Sequence, residues 1–488
     1  MQSNVAMKII AFSLLANFIT LIPVWIVSLI FHDGMSVSHF TLLAISAMLG
    51  LIVLLSNRRA ADELRAAQSF LFVVMTWITF SIVSTAPFLV SLNLSFDEAI
   101  FETVSGLTTT GATIFDEIDS LPKSILFYRS LLQWVGGMGI IVMVVAILPV
   151  LNVGGMQLFK AETPGPIKDE KLTPRIRHTA RYLWVIYLGL TIACFFAYWL
   201  FGMPVLDAAS HALTTISTGG FSTHTASLGF FNSPSIENVA SLFMIAGSIN
   251  FGLHFAAVRS FNPEHYFGDK EFTYFLFMVV IATLLIAISL FISGTYDDIL
   301  TALRYATFEV VSIVSSTGFG IADFSHWPLF IPALLMLLSY VGGCAGSTAG
   351  GMKVIRIAVV FKGIGQQLKQ LIHSKGVFIT KFGERKVEPN IQQSIFAFLF
   401  IYTLTAMLFF LLLLMTGADY LTAFGAVTAC INVLGPGLGD VTSSFHSMTP
   451  VAKLLLSVLM LIGRLEVFTV FVLFSPLYWR AIMKSRQV

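Results

Sequence analysis

The sequence predicts an all-α integral membrane protein with four pseudo-symmetric helix–pore helix–helix repeats around one central pore, plus an N-terminal pair of transmembrane helices. Three observations predict this fold. The 488 residues are 56% hydrophobic and 11% charged, whereas soluble domains carry roughly 25% charged residues. About ten apolar stretches are long enough to cross a bilayer as helices. Between them, a short apolar segment followed by an uncharged Gly-containing stretch recurs four times.

The spans are placed by the rule that a transmembrane helix needs about 20 mostly apolar residues. They are predicted at 8–31, 39–56, 68–91, 125–150, 180–201, 237–258, 273–294, 329–359, 393–415 and 450–479. The first stretch is too long for a signal-peptide core and lacks a small-residue cleavage site, so it is expected to be a retained helix. The four short segments have roughly the 10–14 residues expected of re-entrant helices. They lie at 97–109, 206–217, 300–316 and 420–433.

Each short segment ends where a Gly stretch begins. The four Gly stretches are TTTGATIF (108–115), STGGFSTH (217–224), SSTGFGIA (315–322) and NVLGPGLG (432–439). Irregular backbone at membrane depth is tolerated only where it is buried in protein or lines a wet cavity. Four such stretches around one axis would ring it with carbonyl oxygens, which replace the hydration shell of a monovalent cation. A site for a divalent ion would call for carboxylates.

The order span, short helix, Gly stretch, span also predicts the organisation of the chain, because a repeated unit decides the whole fold. An extra hairpin is expected first, followed by four repeats. The expected bounds are 1–66 for the hairpin and 67–158, 159–260, 261–362 and 363–488 for the repeats.

Lys and Arg residues predict the orientation, since they are enriched in cytoplasmic loops. With ten spans, the basic loops at 57–65, 159–181 and 361–386 fall on the same side as both termini. That side is expected to be cytoplasmic, and the short segments then face outward. Acidic residues near the first short segment would attract cations to the outer mouth, or Asp97, Glu98 and Glu102 would only stabilise the start of a helix.

Six motifs resemble those of the Trk/Ktr/HKT superfamily of potassium transporters, and most closely its bacterial TrkH/TrkG type. They are SGLTTTGAT (105–113), QWVGGMGIIV (133–142), ISTGGFSTH (216–224), GGCAGSTAGGMKVIR (342–356), NVLGPGLG (432–439) and GRLEVFT (463–469). The resemblance covers essentially the whole chain. It implies a potassium-translocating, channel-like subunit of a bacterial uptake system in the inner membrane.

The resemblance further implies that potassium binds a carbonyl-lined filter built from the four Gly stretches. The expected filter residues are Thr110, Gly111, Thr218, Gly219, Thr317, Gly318, Leu434 and Gly435. Leu434 departs from the Thr-Gly form and can contribute only its carbonyl. Gly111 favours potassium, because plant relatives that prefer sodium often have Ser at this position.

The resemblance also implies partners. A homodimer of the membrane subunit is expected, together with a TrkA-type ring of nucleotide-binding subunits on the cytoplasmic face. The loops 159–181 and 361–386 are docking surfaces in that interpretation, or simply the basic charge that sets topology. No nucleic-acid partner and no organic cofactor are expected, because any nucleotide would bind the ring.

The segment GGCAGSTAGGMK at 342–353 interrupts the eighth span. It is not a phosphate-binding P-loop, because Met352 stands where that motif needs Lys. Two interpretations remain: close packing of helices through small residues, or, from the resemblance, an intramembrane gate below the filter. The expected gate residues are Gly346, Ser347, Thr348, Gly350, Gly351, Lys353 and Arg464.

Charged and polar residues inside the spans carry further alternatives. Arg464 would lie about 22 Å inside a continuous tenth span, either on the pore wall or in an ion pair with Glu466 or another carboxylate. Lys353 either snorkels or takes part in gating. Asn250 and His254 share a helix face, and are expected to bond to other helices or to face the pore.

The sequence leaves one other transport mechanism open and argues against enzymes. A symporter coupling potassium to protons or sodium would need buried acids, of which Glu309 is the main candidate. Nucleophile and metalloprotease motifs are missing from the sequence. Cys194, Cys344 and Cys430 lie in apolar contexts and imply neither disulfides nor a metal cluster.

Overall fold

Helices dominate the computed structural model of the protein, which describes residues 2–56, 66–142, 172–383 and 385–484. Through the first two Gly stretches the helices are α1 Gln2–Phe31, α2 Ser36–Ser56, α3 Ala66–Ser84, α4 Ala86–Ser91, α5 Phe96–Thr108, α6 Lys123–Val142, α7 Leu172–Leu200 and α8 Val205–Ile216. The remaining helices are α9 Pro234–Ser248, α10 Phe251–Ser260, α11 Glu264–Gly268, α12 Lys270–Ile292, α13 Ile299–Val314, α14 Phe330–Val341, α15 Val354–Ile372, α16 Pro389–Met415, α17 Tyr420–Ile431, α18 Pro450–Arg464, α19 Val467–Phe471 and α20 Pro476–Lys484.

Smaller elements occupy the connections. Strands β1 (Lys381–Phe382) and β2 (Arg385–Lys386) form a short antiparallel hairpin. Single 3₁₀ turns are found at Ser227–Phe231, Phe324–His326, Gly439–Val441 and Val472–Phe474. None of these elements is long enough to organise the fold.

Six helices in the described ranges are long and apolar enough to cross a membrane, and two bent helix pairs raise the number to as many as eight. Their exposed surfaces are apolar: on α12 the side chains of Phe277, Leu284 and Ile288 are 63%, 49% and 51% exposed. Exposed apolar surface on this scale would be a liability in water and suits contact with lipid. The protein is a multi-pass membrane protein. The predicted span at 125–150 begins in α6, and its residues 143–150 lie outside the described ranges.

The four predicted short segments are helices α5, α8, α13 and α17, within one or two residues of the expected bounds. Their starts carry the residues that favour helix initiation. Asp298 and Asp419 accept hydrogen bonds from the backbone N–H groups of Thr301 and Thr422, and Ser95 forms a capping box with the residue three positions on. We call the side on which these helices begin the mouth side and the opposite side the far side.

The span expected at 237–258 is broken rather than continuous. Helices α9 and α10 meet at 100°. Ile249 is extended at ψ 152°, and Asn250 then begins α10 by accepting a hydrogen bond from Gly252 N at 2.8 Å. Asn is among the best N-cap residues. The polar residue inside this apolar stretch therefore marks a helix start.

The span expected at 450–479 is broken as well. Helix α18 and the helical segment from Val467 to Phe474 meet at 108°. Glu466 has a φ of 63°, in the left-handed region that is unfavourable for residues with a Cβ atom. Helix α18 consequently ends at Arg464, so the depth estimated from a continuous helix was wrong.

The eighth span is interrupted at 342–353, as its sequence predicted. Main-chain groups freed by this interruption bond to those freed at the end of α9. Cys344 N donates to Ser248 O at 2.9 Å, Thr348 N to Gly247 O at 3.2 Å, and Phe251 N to Gly346 O at 3.0 Å. Irregular backbone at membrane depth requires such satisfaction. The two breaks therefore support each other.

Candidate functional site

The four Gly stretches meet in a closed ring. Each contributes one positive-φ Gly to the ring: Gly111 at 83°, Gly220 at 78°, Gly318 at 81° and Gly435 at 96°. A Cβ atom added to any of them would come within 3.0 Å of a carbonyl oxygen of the neighbouring stretch. In order around the ring, those oxygens belong to Gly219, Thr317, Leu434 and Thr110. Only Gly combines this φ with so close an approach.

The ends of the short helices define which ring residues are equivalent. Thr110 N bonds back to Ser105 O, and Gly219 N bonds back to Thr214 O in the same way. The residues just before them, Thr109 and Thr218, both have left-handed φ values, 58° and 51°. Gly219 therefore corresponds to Thr110, and Thr218 to Thr109.

This equivalence corrects one expectation. The motifs in the sequence align Thr218 and Gly219 with Thr110 and Gly111. The backbone instead aligns Thr218 and Gly219 with Thr109 and Thr110. The Gly equivalent to Gly111 is Gly220. In the other stretches the expected pairs Thr317–Gly318 and Leu434–Gly435 do occupy equivalent positions, since Thr317 N and Leu434 N make the same helix-ending bonds.

A glutamine that sequence reasoning missed holds the second Gly stretch. Gln133 on α6 donates from Nε2 to Gly219 O at 2.6 Å and accepts from Phe221 N at 3.1 Å through Oε1. Its side chain is fully buried. The sequence could have indicated this role, because a lone Gln at the start of the apolar run QWVGGMGIIV needs a polar partner when it is buried.

Three glycines let the lining helices touch the ends of the short helices. A Cβ atom on Gly136, Gly247 or Gly463 would meet the carbonyl oxygen of Leu107, Ile216 or Ile431, in that order. These carbonyls stand at the same place in α5, α8 and α17. The glycine motifs of three repeats thus share one packing function.

A buried ion pair braces the first Gly stretch from behind. Arg129 Nε lies 2.7 Å from Glu102 Oε1, and both side chains are fully buried. Glu102 Oε2 also accepts from Ile114 N at 3.0 Å, and Arg129 Nη1 donates to Ser222 O at 3.2 Å. The pair thereby joins the first and second Gly stretches. Glu102, expected to cap a helix or bind ions, is instead part of the scaffold.

The segment 342–353 lies across the inner ends of the short helices. Thr348 Oγ1 donates to Ile216 O at 3.1 Å and to Gly247 O at 2.9 Å. Gly350 N donates to Ser316 Oγ at 2.5 Å. A Cβ atom on Gly350 would collide with Asn432 O. The segment therefore touches the ends of α8, α13 and α17, directly beneath the ring on its far side.

The other expected gate residues shape this segment. Gly346 and Gly351 have φ values of 75° and 74°, and Lys353 has 78°. Ser347 Oγ donates to Cys344 O at 2.6 Å, and Lys353 Nζ donates to Ala349 O. Lys353 thus bonds to the segment itself rather than extending toward solvent.

Arg464 reaches the same segment from α18. Its Nη1 donates to Thr348 O at 2.7 Å, and the residue is only 3% exposed. Its Nε and Nη2 have no hydrogen-bond partner among the described residues. The ion pair considered with Glu466 is not formed, because Glu466 pairs with Arg356 at 2.8 Å.

Two acidic residues anchor the segment, and only one of them, Glu466, was singled out from the sequence. Glu271 Oε1 accepts from Ala345 N at 2.7 Å and from Ile355 N at 3.3 Å. Glu466 binds Arg356, whose guanidinium also lies 4.1 Å from the ring centroid of Phe398. These contacts hold the segment near its start, at Ala345, and just after its end, at Ile355 and Arg356.

Asn250 and His254 do not act as a pair on one face. Asn250 caps α10, as described above. His254 Nδ1 lies 2.8 Å from Tyr266 Oη, and its Nε2 lies 2.8 Å from Ala246 O. Both residues stabilise the bend between α9 and α10.

Acidic residues on the mouth side take part in contacts between repeats. Lys453 Nζ lies 3.4 Å from Glu98 and 4.0 Å from Asp97, joining α18 to α5. Asp119 accepts from Thr225 N at 3.0 Å and contacts His224 Nδ1 at 2.6 Å. In the described ranges, groups of three or more His, Cys, Asp or Glu side chains placed to hold a metal are not found.

Comparison with known proteins identifies the family. The family model described as "TrkH: Cation transport protein" matches residues 35–481. The chain belongs to the TrkH family. TrkH-family relatives include the Trk system potassium uptake protein TrkH of Salmonella typhimurium, 45% identical over 94% of this chain and 96% of that protein. The TrkH of Vibrio parahaemolyticus is 44% identical over 99% of this chain and 100% of that protein.

A solved TrkH structure shares the fold. The crystal structure of the potassium transporter TrkH from Vibrio parahaemolyticus superimposes with a TM-score of 0.91 at 42% identity, covering 98% of this chain and 100% of that one. The Trk system potassium uptake protein TrkG of Escherichia coli is 37% identical over 95% of this chain and 96% of that protein. This TrkH-family chain is a cation transport protein and not an enzyme.

Proposed function

We propose that this chain is the potassium-translocating, channel-like subunit of a bacterial Trk uptake system. The observation that carries the proposal is the closed ring of four positive-φ glycines. Each Gly lies against a carbonyl oxygen of the next stretch. Converging carbonyls are the chemistry that replaces the hydration shell of potassium.

In this proposal the filter comprises the ring glycines and the residues that precede them. The Gly residues are Gly111, Gly220, Gly318 and Gly435, and the preceding carbonyls belong to Thr110, Gly219, Thr317 and Leu434. Potassium is the transported ion and the filter's ligand. Thr218, expected in the filter, would lie one residue too far inward.

The segment 342–353 is proposed as the gate. It contacts the ends of three short helices beneath the ring. Hydrogen bonds of Thr348, Gly350 and Arg464 hold it there. Glycine and serine make its irregular backbone inexpensive to rearrange. A cation leaving the filter toward the far side would meet this segment and the guanidinium of Arg464.

The remaining assignments concern the surroundings of the pore. The mouth side is proposed to face outward and both termini to lie in the cytoplasm, with the chain in the bacterial inner membrane. A homodimer and a TrkA-type ring on the far side complete the system, the basic region at 361–386 being a docking surface; the loops at 57–65 and most of 159–181 lie outside the described residues.

Ion flux into liposomes tests the proposal. The purified full-length chain is reconstituted with a potassium gradient, and potassium, rubidium, sodium and lithium are compared at two pH values, with and without the cytosolic ring. We expect flux that follows the potassium gradient, excludes lithium and loses discrimination in Gly318→Ser. Gly189→Ser is the matched control, because a Cβ atom there meets nothing within 4 Å.

The same experiment decides the alternative mechanism. Flux that requires an imposed proton or sodium gradient would replace the channel with a symporter and direct attention to Glu309. Flux without preference among the four ions would contradict the assigned filter.

A further inference from the structure

The short helices share one position that lies next to the residues that follow the ring Gly in each Gly stretch. It lies seven residues before the left-handed residue that ends each helix. The four occupants are Glu102, His211, Glu309 and Ala426. Since the helix ends are equivalent, these residues are equivalent too, although their chemistry differs.

Two of them hold a Gly stretch as part of a larger network. Glu102 accepts from Ile114 N and is neutralised by Arg129. His211 lies 3.0 Å through Nε2 from Ser222 Oγ. In both cases a side chain of the short helix bonds to residues that follow the ring Gly.

The fourth repeat needs no such side chain. Ala426 is fully buried, and the backbone of Leu438 lies directly against the preceding Gly425, where any Cβ atom would collide with it. Small residues in α17 allow the Gly stretch to pack on the helix itself.

Glu309 stands alone in the third repeat. Its Oε1 accepts from Ile321 N at 2.9 Å and from Ala322 N at 3.2 Å. The residue is 1% exposed, and its Oε2 has no hydrogen-bond partner within the part of the chain that the structure describes. Among those residues the ion pairs include none to Glu309. One oxygen atom therefore holds two backbone donors that follow Gly318.

We propose that Glu309 is the positioning residue of the third Gly stretch, and that its reach as a hydrogen-bond acceptor keeps this wall of the filter selective for potassium. The inference rests on the proposed function. Removing an acceptor leaves buried N–H donors unpaired, which is costly. The stretch would relax to find new partners, and the carbonyl of Thr317 would move with it. A carboxylate too short to reach Ile321 N and Ala322 N would not maintain potassium selectivity.

Four variants of the full-length chain separate reach from charge. Glu309→Gln keeps the length and an acceptor oxygen but removes the ionisable carboxyl group. Glu309→Asp keeps the ionisable carboxyl group but is one methylene too short. Glu309→Ala removes both. Thr307→Ala is the control on the same helix, because among the described residues its hydroxyl bonds within α13, to Leu303 O at 2.7 Å.

The measurement is the potassium-to-sodium permeability ratio from reversal potentials in reconstituted bilayers. We expect Glu309→Gln and Thr307→Ala to stay within about twofold of the wild type, and Glu309→Asp and Glu309→Ala to lose about tenfold or more, the scale of one unmade buried hydrogen bond. If Glu309→Ala does not assemble, the comparison of Gln with Asp still decides the question.

Two results would overturn the inference. Selectivity kept by Asp and lost by Gln would assign the effect to charge, and selectivity kept by Asp and Ala alike would deny Glu309 any role. A wild-type chain without potassium selectivity would instead refute the proposed function itself.

Discussion

The guanidinium of Arg464 donates a hydrogen bond from Nη1 to the main-chain oxygen of Thr348, 2.7 Å away. This contact joins the end of α18 to the segment 342–353. Thr348 in turn donates to Ile216 O at the end of α8. A single chain of hydrogen bonds thus runs from a charged residue on a lining helix, through the proposed gate, to the base of the second Gly stretch.

Arg464→Ala is expected to increase potassium flux severalfold. The substitution releases Thr348 O and removes a positive charge from beneath the ring, where it opposes cations. Flux through reconstituted liposomes measures the effect, with Arg480→Ala as a control that removes an exposed arginine on α20. Unchanged or reduced flux in a folded Arg464→Ala chain would argue against this residue as part of the gate.

Gly220→Ala is expected to lose more potassium discrimination than Gly219→Ala. At Gly220 the φ of 78° is unfavourable for Ala, and the added Cβ atom meets the backbone of Thr317. At Gly219 it meets the end of the Gln133 side chain, which can shift more easily than backbone even though its bonds to the stretch would weaken. Reversal potentials with potassium and sodium compare the two variants. An equal or larger loss in Gly219→Ala would restore the register expected from sequence.

Arg129→Met is expected to destabilise the protein by about 3–5 kcal/mol, because it leaves the carboxylate of Glu102 buried without its partner. Adding Glu102→Gln should recover part of the loss, since the amide oxygen can still accept from Ile114 N. Thermal unfolding in detergent provides the ranking. A double variant no more stable than Arg129→Met would show that the pair acts by some route other than charge compensation.

Asp119→Asn is expected to destabilise the mouth side above pH 4 and to have little effect near pH 2. Burial raises the pKa of Asp119, but hydrogen bonds from Thr225 N–H and His224 outweigh it and bring the pKa to about 2. A carboxylate with a depressed pKa stabilises the fold above its ordinary value of 3.8, and this contribution disappears as the pH falls through 2.

Melting temperatures of the wild type and Asp119→Asn between pH 2 and 6 check this expectation. Glu117→Gln, at an exposed carboxylate two residues away, is the control and should track the wild type. A deficit in Asp119→Asn that persists unchanged at pH 2 would assign it to lost geometry rather than to the ionised carboxylate.

The short helices show how far local sequence reaches. Apolar length and the polar residues before them placed α5, α8, α13 and α17 to within one or two residues. The same apolar rule missed the breaks before α10 and after α18. Composition over about 20 residues measures whether a stretch can cross a bilayer, not whether its backbone runs straight.

The second Gly stretch shows where motif comparison stops. Gly219 and Gly220 are adjacent. The pair Thr218–Gly219 looks the same as Thr110–Gly111 in the first stretch. Only the helix-ending bond from Gly219 N to Thr214 O, with the φ of 78° at Gly220, settles which Gly takes part in the ring. Residues such as Gln133 and Arg129 likewise gained their roles through partners distant in sequence.

The sequence by itself determined that the chain lies in a membrane and that it repeats a span–short helix–span unit, and it pointed to the uncharged Gly stretches as the candidate ion site. These properties depend on hydrophobicity, length and local backbone preference, which follow from the residue types in each stretch. Tertiary structure decided the register of the ring, the position of the segment 342–353 beneath it, and the pairing of Arg464 with Thr348 rather than with Glu466. Each of these is a contact between distant parts of the chain, fixed by which buried polar group finds which partner once the helices pack.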